Sequence, residues 1–123
     1  MTEQPISIAN KLSLVTRQWT PHRIARFDEH QLIVAKVQGE FVWHAHSHHD
    51  EVFIPISGEL LMDIEDEEPR TIRPGEVFVV PAGVRHRPRT NGEEVSILVI
   101  DPMDVEHTGG ETSSLTVESY PEI

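Results

Sequence analysis

The sequence predicts an all-β fold, an antiparallel sandwich or barrel, on three observations. Between Gln31 and Asp101 eight short apolar runs follow one another, each of strand length. Val, Ile, Phe and Leu dominate them, and none is long enough to need a helix. Gly, Pro, Asn and Ser punctuate the runs at regular intervals, as in small sandwiches and barrels.

Residues 1–31 are mixed in pattern. LSLV (12–15) and RIARF (23–27) read as short strands or irregular cover, interrupted by Pro21. LIVAKV (32–37) is the first clear strand and ends before Gly39; FVWHAH (41–46) is the second. EVFIPI (51–56) closes on Ser57-Gly58, a hairpin signal, and ELLMDI (59–64) follows. The acidic run Glu65 to Glu68 reads as a solvated hairpin loop. TIR (71–73), a Pro74-Gly75 turn and EVFVV (76–80) come next. Pro81 then fixes φ and Gly83 accepts positive φ, a compact corner leading into HRPRT (86–90). Asn91-Gly92 turns the chain into VSILVI (95–100). Past Pro102 the tail is polar, with one further short strand expected at Leu115–Val117. The expected organisation is one domain over 1–123: an N-terminal arm to 31, a core barrel over 32–101 and a C-terminal extension from 102.

At 123 residues such a domain can bury a core without crosslinks. It has no cysteine, which excludes disulfides, thiolate metal sites and cysteine nucleophiles. A net charge of −11 argues against nucleic acid and against anionic membrane surfaces, both of which need clustered positive charge. The N-terminus has neither a basic nor an apolar signal region, so a cytoplasmic protein is expected.

The chemistry concentrates in WHAHSHHDEVF and VPAGVRHRP. Side chains at i and i+2 of a strand share a face, so His44 and His46 converge and Trp43, Ala45 and Ser47 point away. A bend before Glu51 brings its carboxylate back to the same place. His86 shares a face with Pro88 and Thr90, leaving Arg85, Arg87 and Arg89 on the other, solvated or at a subunit contact. Three imidazoles and a carboxylate suit a divalent transition metal: Fe, Mn, Ni, Zn or Cu. The bland alternative makes His44–His49 a solvated loop that binds metal adventitiously, and the second segment weighs against it.

These two segments resemble the paired motifs of the cupin superfamily, whose fold is a small antiparallel β-barrel of jelly-roll type. Gly39, His44, His46, Glu51 and Gly58 match the first motif, and Gly75, Pro81, Gly83 and His86 the second. The resemblance implies that His44, His46, Glu51 and His86 are metal ligands. Only four residues separate Gly39 from His44 where the family usually has five, and Thr90 stands at a position usually held by Asn. The layout is similar to very short bacterial cupins, with Trp43 before the first ligand and Thr108-Gly109 after the last strand. Pairing of such barrels through an edge strand implies a homodimer, with the N-terminal segment as a strand to lend.

His48 reads as a rim residue or substitute ligand, and His49 as rim. Trp43 and Phe53 read as core rather than pocket lining. His22, His30 and His107 take no role, and Tyr120 lies in the tail. Four protein ligands leave one or two coordination positions open, and no second catalytic group stands out. The expected function is a metal-dependent enzyme on a small organic molecule, dioxygenase-like or an isomerase or lyase with the ion as Lewis acid. The alternative is a non-catalytic barrel that binds or senses a small sugar or acid.

Overall fold

The computed structural model describes residues 2–111 and 113–123, and its strands form two antiparallel sheets. The strands are β1 (His22–Phe27), β2 (His30–Val37), β3 (Glu51–Ser57), β4 (Leu60–Ile64), β5 (Arg70–Ile72), β6 (Phe78–Val80), β7 (His86–Arg89) and β8 (Val95–Pro102). One sheet has the order β1-β2-β8-β3-β6, the other β5-β4-β7. This is the jelly-roll arrangement, with a core pressed between the layers. Ile33, Ala35, Val37, Phe53, Ile97 and Val99 of the larger sheet meet Leu60, Met62, Ile64 and Ile72 of the smaller.

Strands β2 and β8 pair along their whole length, from His30 with Pro102 to Val37 with Val95. Their sequences read as nearly unbroken apolar runs because both faces are covered. The odd-numbered face enters the core, while Val34 and Leu98 on the other face pack against Leu12, Val15 and Ile24. That outer cover includes a helix that the sequence reading missed, α1 (Ile8–Leu12). Ser7 caps it, its hydroxyl accepting from the Asn10 N–H, and Ile8 and Leu12 lie one turn apart on the buried side. LSLV is therefore the end of a helix and a turn rather than a strand.

RIARF lies within β1, which joins the larger sheet through a hairpin to β2. The N-terminal segment thus packs on the chain's own sheet. Ser57-Gly58 is a corner rather than a hairpin, since β3 and β4 lie in different sheets; Gly58 has φ +80°. Leu115–Val117 forms no strand and follows a turn. The tail instead returns to β1: Arg23 N–H donates to the Pro121 carbonyl at 2.8 Å, and Ile123 N–H to the Arg23 carbonyl at 3.1 Å.

The FVWHAH segment is not a regular strand. Glu40 bridges Arg89 and His44 bridges His86, five positions against four, so one extra residue bulges out between them. The bulge changes which side chains face inward: Phe41, His44 and His46 are buried. Trp43 points outward, as read from the alternation, but it is not core. It lies under the guanidinium groups of Arg85 and Arg87, at 5.6 and 5.2 Å. Phe53 is core and also lines a cavity described below.

Candidate metal centre

His44, His46, Glu51 and His86 are all buried, and one ligand atom from each lies within 4.8 Å of the others. Two segments assemble the cluster. Gly39 is clamped by Thr90, whose hydroxyl accepts the Gly39 N–H at 2.9 Å while its own N–H donates to the Gly39 carbonyl at 2.9 Å. Thr90 thus anchors the start of the segment bearing His44 and His46. From the other side the Pro81–Gly83 corner, with Gly83 at φ +80°, donates its N–H to the His46 carbonyl at 2.8 Å. Glu51 enters as the first residue of β3.

The imidazoles are held in one tautomer. His44 Nδ1 lies 2.9 Å from the Val42 carbonyl and His86 Nδ1 lies 2.9 Å from that of Val84. A carbonyl only accepts, so each Nδ1 carries the proton and each Nε2 keeps a free lone pair. His46 Nε2 and His86 Nε2 are buried with no hydrogen-bond partner, yet sit 3.4 and 3.6 Å from a Glu51 oxygen. Orphaned buried nitrogens are costly, and a shared cation would satisfy both. Ligands about 2.1 Å from one ion lie roughly 3 to 4.2 Å apart, so this cluster fits a metal ion after slight contraction.

The electrostatics agree with that fit. Burial, followed by the neighbouring His86, lowers the His44 pKa to about 4, keeping the ring neutral as a ligand must be. Burial opposes ionisation of Glu51; hydrogen bonds from His46 and His86, made only when those rings carry a proton toward it, hold its carboxyl below the usual range, and a cation bound between them would take over that part. The sequence reading missed Asp101, buried at the end of β8. Burial and the neighbouring Glu51 charge push its pKa up to about 9, and its Oδ2 is buried with no hydrogen-bond partner. Gln31 Nε2 donates to Asp101 Oδ1 at 2.9 Å, and Arg23 Nε donates to the Gln31 amide oxygen at 2.8 Å. A polar chain therefore runs from Asp101 to Arg23, which pairs with Glu122 at 2.8 Å. A single acid ending an apolar run gives no pattern by which sequence could mark it.

His48 is exposed and lies outside the cluster. His49 is half-buried and stacks on His46 with ring centroids 5.2 Å apart; its Nδ1 is buried without a partner. His22 bonds the Thr20 carbonyl and His30 stacks on Phe27, both apart from the site. Arg85, Arg87 and Arg89 take the outer face, opposite His86. Arg87 and Arg89 clamp Asp63 at 2.7 and 2.8 Å, and Arg85 reaches Glu65 at 3.3 Å.

Beside the cluster lies a cavity of about 50 Å³, room for a few water-sized groups. His44 and Glu51 form part of its wall, and most of the remaining lining is apolar. Here the sequence reading is corrected again: His107 and Tyr120 of the tail also line it, as does Trp19. Trp19 stacks on Phe41 at 4.8 Å, and its indole N–H donates to the Gln38 carbonyl at 2.9 Å. The tail is held against the ligand segment by Gly109. At φ +61°, its α-carbon packs so closely on Ala45 that an added Cβ would lie 2.3 Å from the Ala45 carbonyl oxygen.

Fold and site together define a class: a jelly-roll barrel enclosing three imidazoles and one carboxylate. The chain belongs to the cupin superfamily, the sequence model of the Cupin domain family matching residues 31–101. It is 31% identical to the uncharacterized protein YdbB of Bacillus subtilis (strain 168), over 94% of this chain and 93% of that one. The structure of a cupin-2 domain protein from Shewanella frigidimarina NCIMB 400 is 41% identical, with a TM-score of 0.76 over 79% of this chain and 93% of that one. Hydroquinone 1,2-dioxygenase PnpCD in complex with Fe³⁺ shares the fold at 22% identity. Its TM-score is 0.70, over 79% of this chain and 32% of that one.

Proposed function

We propose that this protein is a metal-dependent enzyme acting on a small organic molecule, with His44, His46, Glu51 and His86 holding one divalent transition metal. One observation carries the reading: His44 and Glu51 belong both to the ligand cluster and to the wall of an apolar cavity. A molecule seated in that cavity lies next to the four ligands. A bound ion supplies Lewis-acid polarisation of a substrate oxygen or, if redox-active, electron transfer with dioxygen. The chain's own residues do the rest. Phe41, Phe53, Ile97 and Val99 keep water out, and the Val42 and Val84 carbonyls orient the His44 and His86 imidazoles. The fold-sharing dioxygenase that binds Fe³⁺ makes iron the first metal to test.

A second reading draws on the small size of the cavity: a barrel that holds a small acid and acts through a partner. One experiment separates the two. Metal content is measured on the purified protein, which is then incubated with hydroquinones, catechols, diketones and hydroxy acids, with and without dioxygen. Metal-dependent oxygen uptake or product formation supports the enzyme. Binding without turnover supports the second reading, and less than a tenth of an equivalent of any transition metal overturns the proposed centre.

A further inference from the structure

We propose that His107 and Tyr120 bind the substrate. The His107 Nε2–H and the Tyr120 hydroxyl donate hydrogen bonds to an oxygen of a small carbonyl or carboxylate compound, seated beside His44 and Glu51. This rests on the metal-enzyme reading and gives it a substrate class.

The tautomer of His107 is the first support. Val117 N–H donates to His107 Nδ1 at 2.9 Å. An N–H cannot accept, so Nδ1 is the unprotonated nitrogen and the neutral ring carries its proton on Nε2. Packing then fixes the ring plane. His107 lies tilted on Phe41 with centroids 4.9 Å apart, and edge-on to Tyr120 at 5.7 Å. Tyr120 in turn packs against the core between the sheets. Both residues line the cavity, and the Leu115 carbonyl, close to the His107 ring, works against burial on its pKa.

Burial keeps both groups in their donor forms. It lowers the His107 pKa to about 4, leaving the ring neutral, and raises that of Tyr120, leaving the phenol protonated. Two neutral donors among mostly apolar walls recognise an acceptor oxygen. A divalent ion's charge exceeds that of Glu51, so an anionic oxygen is also accepted. The cavity of about 50 Å³ makes small acceptors such as acetate and pyruvate the first probes. Gly109, seated on Ala45, and Thr108, whose hydroxyl lies 2.8 Å from that of Thr116, fix the root of the tail. The donors are therefore positioned by the same segment that carries His44 and His46.

The test uses the full chain loaded with cobalt(II), whose visible absorption responds to a molecule arriving beside the ion. Acetate and pyruvate are the probes. Wild type, His107→Phe, His107→Gln and Tyr120→Phe should each take up one cobalt per chain. The Phe variants should raise the pyruvate Kd about fivefold each, the loss of one neutral hydrogen bond. His107→Gln keeps an N–H donor and should recover part of the loss; Tyr120→Phe keeps the ring and so its packing. Unchanged Kd in both Phe variants overturns the role of the tail. A spectrum that neither probe moves overturns the substrate class. Failure of the wild type to take up cobalt is read before any probe is added, and it overturns the metal reading and this inference together.

Discussion

His44 and His86, 42 positions apart in the chain, exchange both backbone hydrogen bonds, at 3.0 and 2.8 Å. A directly bonded antiparallel pair presents its two side chains on one face, and here the ring centroids are 4.4 Å apart. The two halves of the candidate centre are thus joined by main chain. The pocket exists before any ion arrives, and side chains can be removed from it without dissolving the join.

Replacing His86 by Ala should therefore empty the centre while leaving the fold. Metal content measured by mass spectrometry should fall at least tenfold, with an unchanged far-ultraviolet circular dichroism spectrum. His49→Ala should keep its metal, because His49 stacks on His46 from outside the four-residue cluster. The reverse pattern would show that the ligands are misassigned.

Gly109→Ala should cost about 1 to 3 kcal/mol. The new methyl meets the Ala45 carbonyl, and the backbone there sits at φ +61°. Urea unfolding gives the number, and faster amide exchange at Val117 would show that the tail has lifted. A variant as stable and as well protected as the wild type would mean that the tail does not press on Ala45.

Asp63 should contribute to acid sensitivity. Burial raises its pKa, but hydrogen bonds from Arg87 and Arg89 outweigh that and hold it below the ordinary value. The stabilisation is present above about pH 4, the unfolded value, and is lost as pH falls through the lower folded one. Asp63→Asn should be less stable than wild type at pH 7, with the gap closing below about pH 4. A gap of constant size across that range would contradict the pairing.

Asp101 has the opposite sign. Its pKa is raised to about 9, first by burial and then by Glu51, so the folded chain keeps a proton that the unfolded chain releases near pH 4. Its stabilisation is full below about pH 4 and is lost as pH rises toward about 9. Metal-free wild type should weaken in urea between about pH 5 and 9. Asp101→Asn, which cannot ionise, should give a flatter profile. Equal slopes would remove the buried proton from the account.

Sequence made the four cluster residues legible because two of their three intervals are short and local. The Pro81–Gly83 corner placed the second segment, and with it His86, without knowledge of the sheets. The inward set Phe41, His44, His46 was not legible in full, since a bulge breaks the alternation on which the reading relied. Helix α1 was hidden because five residues carry too little periodicity to stand out. His107, Tyr120 and Asp101 escaped for a different reason. Each acquires its place through contacts made across the fold, His107 and Tyr120 from a tail whose own pattern is polar and irregular, Asp101 as the last acid of an apolar strand.

Val42 and Val84 stand two residues before His44 and His86, one in a bulge and the other just past a tight corner, and each lends its carbonyl to the ring that follows. Protein engineers who copied the four side chains onto evenly laddered strands would transplant the donors without the irregularities that decide where their protons sit. A faithful graft has to carry the kinks as well.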